Sequence, residues 1–284
     1  LQRARQIRRV LLITLFLNLI VSGGKIVYGY YIDSVSILSD GFHSLFDCIS
    51  NVVGLIAITL SIHPPDSSHP YGHRKIETLF TAFIGLMMLL ACYEIFKNAY
   101  ESLIKGQRAS IDFTSLIVMS LTLIVNVFVV WYEKRLGSRL NSEFLIADSK
   151  HTLSDVLVSL GVILGLLCYL AGFHLADAIA GLAVGLFVLY TGLTIVKEAS
   201  EVLIDKNQTD TMLIKEIVCC HSGVIECHEI RARGAKGNVF LDLHVLVEPS
   251  MAVNDAHRIA HEVEDAIRQR MPEIVDIVVH IEPK

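Results

Sequence analysis

The chain has 284 residues, 53% of them hydrophobic and 19% charged, with a formal net charge of −5 at pH 7 and a mean hydropathy of +0.55. So apolar a balance argues against an ordinary soluble globular protein, and the modest acidic excess argues against a nucleic-acid binder or a polybasic membrane tail.

Six apolar stretches follow one another, at about 9–31, 36–62, 78–104, 112–134, 144–171 and 175–200. Each is long enough to supply the roughly 20 residues that a hydrocarbon core of about 30 Å requires. Arg8 and Arg9 precede the first stretch as they would a signal sequence. It is too long for one, lacks a small-residue cleavage site and carries Lys25, so it reads as a retained helix. Lys25 reads as a structural residue, with a side chain long enough to snorkel toward the outer interface. The chain starts at Leu1 rather than Met, which leaves open a natural N-terminus further upstream.

Arg3, Arg5, Arg8 and Arg9 precede the first helix. Arg74 and Lys75 separate the second from the third, and Lys134, Arg135 and Arg139 the fourth from the fifth. Only Lys105 and Arg108 stand out on the other side, so the positive-inside rule puts both termini in the cytosol. Trp131 and Tyr132 fit an interfacial anchor at the cytosolic end of the fourth helix.

The second and fifth stretches carry one polar pattern, D-x-x-H-x-x-x-D: Asp40, His43 and Asp47, then Asp148, His151 and Asp155. A His and an Asp four apart share one helix face. Two such helices would offer two imidazoles and two carboxylates, a four-coordinate set suited to a divalent metal such as Zn2+. Ionisable groups are costly at membrane depth and usually functional there. Asp40 and Asp148, one turn before each His, are expected behind the ligands, accepting an imidazole N–H or passing protons.

The loop after the second stretch holds Asp66, His69 and His73 around Pro70 and Gly72, three ligands in a short turn that leave a coordination position for water. His63, beside Pro64, reads as structural.

From about residue 205 the composition becomes that of a soluble domain. Residues 209–221 read as helix, 223–233 and 238–247 as strands, 253–270 as an amphipathic helix and 273–282 as a last strand. Gly234–Gly237 reads as the hairpin turn. That order implies a small α+β sheet covered by helices on one face, and the division is drawn at 1–204 and 205–284. A segment this small should gain stability from a partner or a metal. His228, His244, His280 and Glu282 fall on its three strands, and His257 and His261 lie four apart on its main helix. The six cysteines include no CxxC pair, and a cytosolic domain argues against disulfides. A thiolate ligand among Cys219, Cys220 and Cys227, close to His221 and His228, stays open.

These motifs resemble those of the cation diffusion facilitators, proton-coupled exporters of divalent metals, over essentially the full length. The resemblance rests on the two H-x-x-x-D pairs, on the loop run from Asp66 through His73 to Lys75, and on the late His280-Ile281-Glu282-Pro283. It implies six transmembrane helices, a metallochaperone-like C-terminal domain and a homodimer. It implies transport ligands at His43, Asp47, His151 and Asp155, a loop site at Asp66, His69 and His73, and a cytosolic site at His228, His244, His280 and Glu282. Lys75 and Asp205 resemble a charge pair at the dimer hinge. Glu282 stands where relatives often have Asp. A two-His, two-Asp set resembles zinc-preferring members, and imidazole favours zinc on chemical grounds.

The expected function is therefore export of Zn2+ from the cytosol in exchange for protons, across a prokaryotic inner membrane. Fe2+, Co2+, Cd2+ and Mn2+ are the alternative cargoes. A membrane metalloenzyme is disfavoured because no H-E-x-x-H helix is present, and no enzymatic activity is expected.

Overall fold

The computed structural model describes residues 2–31, 35–105, 113–170, 176–207 and 209–284; within these, the side chains at 29, 35–43, 46–47, 98, 101–105, 113–116, 119, 162, 165–170 and 176–178 lie outside the description. The chain divides into two compact units, Leu1–Ala199 and Ser200–Lys284.

The first unit holds α1 (Gln2–Tyr31), α2 (Val35–Ser61), α3 (Lys75–Lys105), α4 (Phe113–Arg139), α5 (Glu143–Leu170) and most of α6 (Ala176–Leu203). With 27 to 31 residues each, these helices run about 40–46 Å, longer than a hydrocarbon core. Among the described residues, Gln2–Tyr28, Lys75–Lys97 and Ile179–Leu203 are long and apolar enough to cross a membrane by length and composition.

Packing follows the apolar and small residues. Ile7, Leu11, Ile58, Ile84, Met88, Phe144, Leu145 and Ile195 form the centre of the bundle. α3 and α6 approach closely where Gly85 meets Gly192 and where Gly185 faces Phe96, the small-residue contact that membrane helices use in place of a hydrophobic drive. Gly54 on α2 has the tightest of these contacts. A Cβ there would lie 2.3 Å from Cε1 of Phe144 and 3.1 Å from Leu11. Gly54→Ala is expected to cost about 1–3 kcal/mol through overpacking, read as a lower melting midpoint in detergent. Adding Phe144→Leu should recover part of that loss; no recovery would show that the Phe144 ring is not the obstacle.

Polar groups close one end of the bundle. Arg3 pairs with Glu77 at 3.0 Å and donates to the carbonyls of Leu140 and Asn141 at 2.7 and 2.9 Å. Ser142 donates to Glu77 and accepts from the Leu145 N–H at 3.3 Å, which caps α5. α1, α3 and the α4–α5 turn are thereby fastened together. Lys25 on α1 is 5% exposed, and its ammonium donates to Ser44 on α2 at 2.8 Å, a hydroxyl partner that offsets part of the cost of burying the charge.

The second unit contains α7 (Thr211–Cys219), β1 (Glu226–Ala235), β2 (Asn238–Val247), α8 (Val253–Arg270) and β3 (Ile274–Pro283). Asp210 caps α7 by accepting from Met212 and Leu213. β2 is the central strand, antiparallel to β1 and parallel to β3. Its buried residues Val239, Leu241, Leu243, Val245 and Val247 alternate with half-buried ones, so the sheet has one covered and one open face. α7 and α8 cover the first with Ile214, Ile217, Ile259, Val263 and Ile267. The hairpin turn is Lys236–Gly237, with Ala235 paired to Asn238. Gly237 (φ 74°) and Gly234 (φ 125°) both take positive φ, Gly234 while still within β1, and the turn falls inside the expected 234–237.

Candidate metal centres

α2 and α5 touch where Gly54 meets Phe144. Leu11 on α1 meets that contact, while Thr14, one turn on, meets Asn51 on α2 and the Glu133–Asp148 pair of α4 and α5, so α5 runs antiparallel to α2. Asp47 precedes Gly54 by seven residues, and His151 follows Phe144 by seven. Both backbone positions therefore lie about 10.5 Å along the bundle from the contact, and His43 and Asp155, eleven residues away, about 16.5 Å. On α5, His151 is 8% exposed and Asp155 half-buried. The side chains of Asp40, His43 and Asp47 lie outside the described residues.

Between that level and the Phe144 contact sits a polar layer. Thr14 on α1 donates to Asn51 on α2 at 2.5 Å. Glu133 on α4 and Asp148 on α5 are 0% and 1% exposed, and Glu133 faces both Thr14 and Asp148. Glu133 is a residue the sequence reading missed. Its signal was an acid among the basic residues that end α4, which read as a cytosolic flank.

The loop cluster sits between α2 and α3. Asp66 Oδ1 accepts from the Ser68 hydroxyl, the Ser68 N–H and the His69 N–H at 2.7–2.9 Å, and this holds the carboxyl at about 2, below its ordinary value. Gly72 (φ 81°) reverses the chain, with its N–H on the His69 carbonyl. His69 Nδ1 and His73 Nε2 then lie 3.4 and 3.5 Å from the two Asp66 oxygens. One ligand atom from each of the three residues lies within 4.8 Å of the others, close enough to converge on a single ion. His63 bonds the Leu60 carbonyl at 3.0 Å at the end of α2, a structural part.

On the open face of the sheet, His228, His244 and His280 occupy one row across the three strands. Ring centroids are 5.4 Å apart for the first pair and 4.8 Å for the second. Glu282 reaches all three: 2.9 Å to His244 Nδ1, 3.4 Å to His228 Nε2 and 3.5 Å to His280 Nε2. The hydrogen bond from His244 lowers the Glu282 carboxyl below its usual value. Ligand atoms of His228, His244 and Glu282 lie within 4.8 Å of one another; His280, 62% exposed at its side chain, stands at the rim. A bulge between His228 and Arg231 puts Glu229 at φ 48° and its carboxylate 3.6 Å from His244 Nε2. Bulges re-aim side chains beside sites, and the strand pattern gave no sign of this one.

The remaining candidates fall elsewhere. His257 and His261 lie on exposed positions of α8, Nε2 to Nε2 3.2 Å, while the inward face of α8 covers the opposite face of the sheet. Cys227 is buried in the core on the covered side of the sheet, away from the open-face histidines, and burial pushes its thiol up to about 11. Cys219 and Cys220 are exposed. His221 turns toward Glu262 at 3.8 Å. Lys75 opens α3 in the first unit, and Asp205 (φ 60°) follows α6 in the second.

Comparison with known proteins accounts for both units. Residues 11–204 match the family described as the cation efflux transmembrane domain, and residues 207–284 match the cation efflux protein, cytoplasmic domain. The chain is 32% identical over 275 residues to the uncharacterized transporter MJ0449 of Methanocaldococcus jannaschii, covering 96% of each chain. It is 27% identical over 292 residues to the manganese efflux system protein MneP of Bacillus subtilis, covering 99% of this chain and 98% of that protein. To the cation-efflux pump FieF of Escherichia fergusonii it is 30% identical over 261 residues, covering 91% and 87%. Among solved structures it is similar to MamM-CTD, 26% identical over 26% of this chain and 94% of that one, with a TM-score of 0.25. A membrane bundle of six helices followed by an α+β domain, each matched to its own cation-efflux family, identifies this chain as a member of the cation diffusion facilitator family of efflux transporters.

Proposed function

We propose that this cation efflux transporter exports Zn2+ from the cytosol in exchange for protons. The observation that carries the reading is the doubled D-x-x-H-x-x-x-D of His43, Asp47, His151 and Asp155, supported by the matching offsets of their backbone positions from the Gly54–Phe144 contact. Metal needs deprotonated ligands, so protonation of His43, His151 or a carboxylate competes with it directly. A site that faces the two sides of the membrane in turn thereby exchanges metal for protons. Asp148, with Glu133 beside it, forms a buried acidic layer one turn from His151 along α5. The loop site and the open-face site bind the same ions on either unit, the latter as a stabilising or regulatory ligand set. The chain works as a homodimer in a prokaryotic inner membrane, with both termini cytosolic, the division at 204/205, and Lys75 and Asp205 as a charge pair at the hinge.

Manganese is the second reading, because MneP and MneS of Bacillus subtilis are named as manganese efflux proteins. Ligand chemistry separates the two: imidazole favours Zn2+, whereas all-oxygen sets suit Mn2+. Proteoliposomes with an imposed proton gradient test both. Zinc flux should follow the gradient and exceed manganese flux, and His43→Asp should narrow that preference by about tenfold or more. Flux indifferent to the gradient would remove proton exchange, and a wild-type preference for manganese would remove zinc.

A further inference from the structure

The first three turns of α1 carry four arginines, and the structure divides them. Arg3 turns inward to Glu77. Arg5, Arg8 and Arg9 instead line an outward groove of about 620 Å³ that continues past Leu12, Ile13, Phe16 and Leu17. Arg5, Arg9, Ile13 and Leu17 recur every four residues, and Arg8, Leu12 and Phe16 form the neighbouring row, so the groove runs between two ridges of one helix. One end of it is cationic and the rest is hydrocarbon. Leu12 is 54% and Phe16 63% exposed, on a segment apolar enough to cross a membrane.

Among the described residues, no carboxylate neutralises the positive charge there. Arg8 donates to the Thr59 hydroxyl on α2 at 3.1 Å, which fixes its position, yet its Nε is buried without a hydrogen-bond partner.

We infer that this groove binds one anionic phospholipid of the leaflet on the N-terminal side. The phosphate sits among the three guanidinium groups, and an acyl chain lies between the two rows down to Phe16 and Leu17. The lining spans about 18 Å along the helix, with charge only at the end where a headgroup would be. Guanidinium forks match phosphate oxygens. Free phosphate would leave the apolar length unused. A second copy docked symmetrically on this groove would bring its own three arginines against these.

The test uses the full-length protein, delipidated in detergent and titrated with dioleoyl phosphatidylglycerol, dioleoyl phosphatidylcholine or inorganic phosphate. Lipid occupancy is read by native mass spectrometry, alongside the melting midpoint. The wild type should retain one phosphatidylglycerol per chain in preference to phosphatidylcholine, with no shift from inorganic phosphate. Arg5→Gln with Arg9→Gln, both exposed, should lower that preference about 30-fold, at about 1 kcal/mol per arginine, while the lipid-free midpoint stays unchanged. Phe16→Ala should weaken both lipids alike. Equal retention of the two lipids by the wild type, an undiminished preference in the double variant, or an equal shift from inorganic phosphate would overturn the assignment. So would a loss of dimer in the double variant with lipid occupancy unchanged, which would assign the groove to a second copy.

Discussion

His151→Ala is expected to lower zinc flux at sub-saturating metal by at least about 100-fold, with Asp47→Ala equivalent. Loss of a group that merely orients a metal ligand typically costs 10–100-fold in affinity or activity, and a ligand itself should cost no less. Folding should survive the change. The packed centre around Ile7, Leu11, Ile58 and Phe144 lies two turns away along α5, and the Arg3–Glu77–Ser142 fastening holds the far end. Elution as the wild-type species with a similar melting midpoint is the control. In the wild type, zinc affinity at this site should weaken as pH falls through about 6.5, where imidazole takes a proton; with the other two sites removed, a flat titration from pH 7.5 to 5.5 would sink proton competition. Flux at the wild-type level from either variant would take the quartet out of the mechanism.

The element ranges show which parts of this fold a sequence states openly. β2 and α8 fall at 238–247 and 253–270, as expected, because their alternation and helical periodicity are each bounded by turn residues. In the membrane unit the hydrophobic run marks the crossing rather than the helix. α1 therefore begins at Gln2 and not near residue 9, and α4 continues to Arg139, since charged residues at an interface are as helical as the apolar ones that follow. The hairpin turn falls inside the expected 234–237, at Lys236–Gly237, because the glycine pair marks the reversal and strand pairing sets its last residues. The bulge at Glu229 left no trace in sequence, because inserting one residue changes which face the following residues occupy without disturbing composition.

Site residues followed the same logic. Spacing within one helix or one short loop was readable, as at His151 with Asp155 or at Asp66, His69 and His73. Convergence between strands was not, and the row of His228, His244 and His280 depends on a register that only pairing supplies. The same pairing separates His257 and His261 from that row. Glu133 was hidden by its neighbours, since Lys134 and Arg135 make the end of α4 look wholly solvated, whereas its position on the helix turns it inward to Asp148.

The isolated C-terminal unit should melt about 10–20 °C higher in zinc than in chelator. The unit has a core of its own in Ile214, Leu241, Leu243, Val263 and Ile267, so it should fold without the helices. A ligand that binds only the folded form, at about 100 times its dissociation constant, adds about 2.7 kcal/mol, and each kcal/mol moves the midpoint of a domain this size by about 4–8 °C. His244 and Glu282 lie at the centre of the cluster, 2.9 Å apart, whereas His280 is at its rim. His244→Ala with Glu282→Gln should therefore abolish the zinc-dependent shift, and His280→Ala alone should leave the greater part of it. Neither residue belongs to the buried core, so the midpoints in chelator should stay close to that of the wild type. A double variant that keeps the full shift would give these residues a purely structural part, and zinc would then have to bind elsewhere, with the exposed His257–His261 pair of α8 the next ligands to remove.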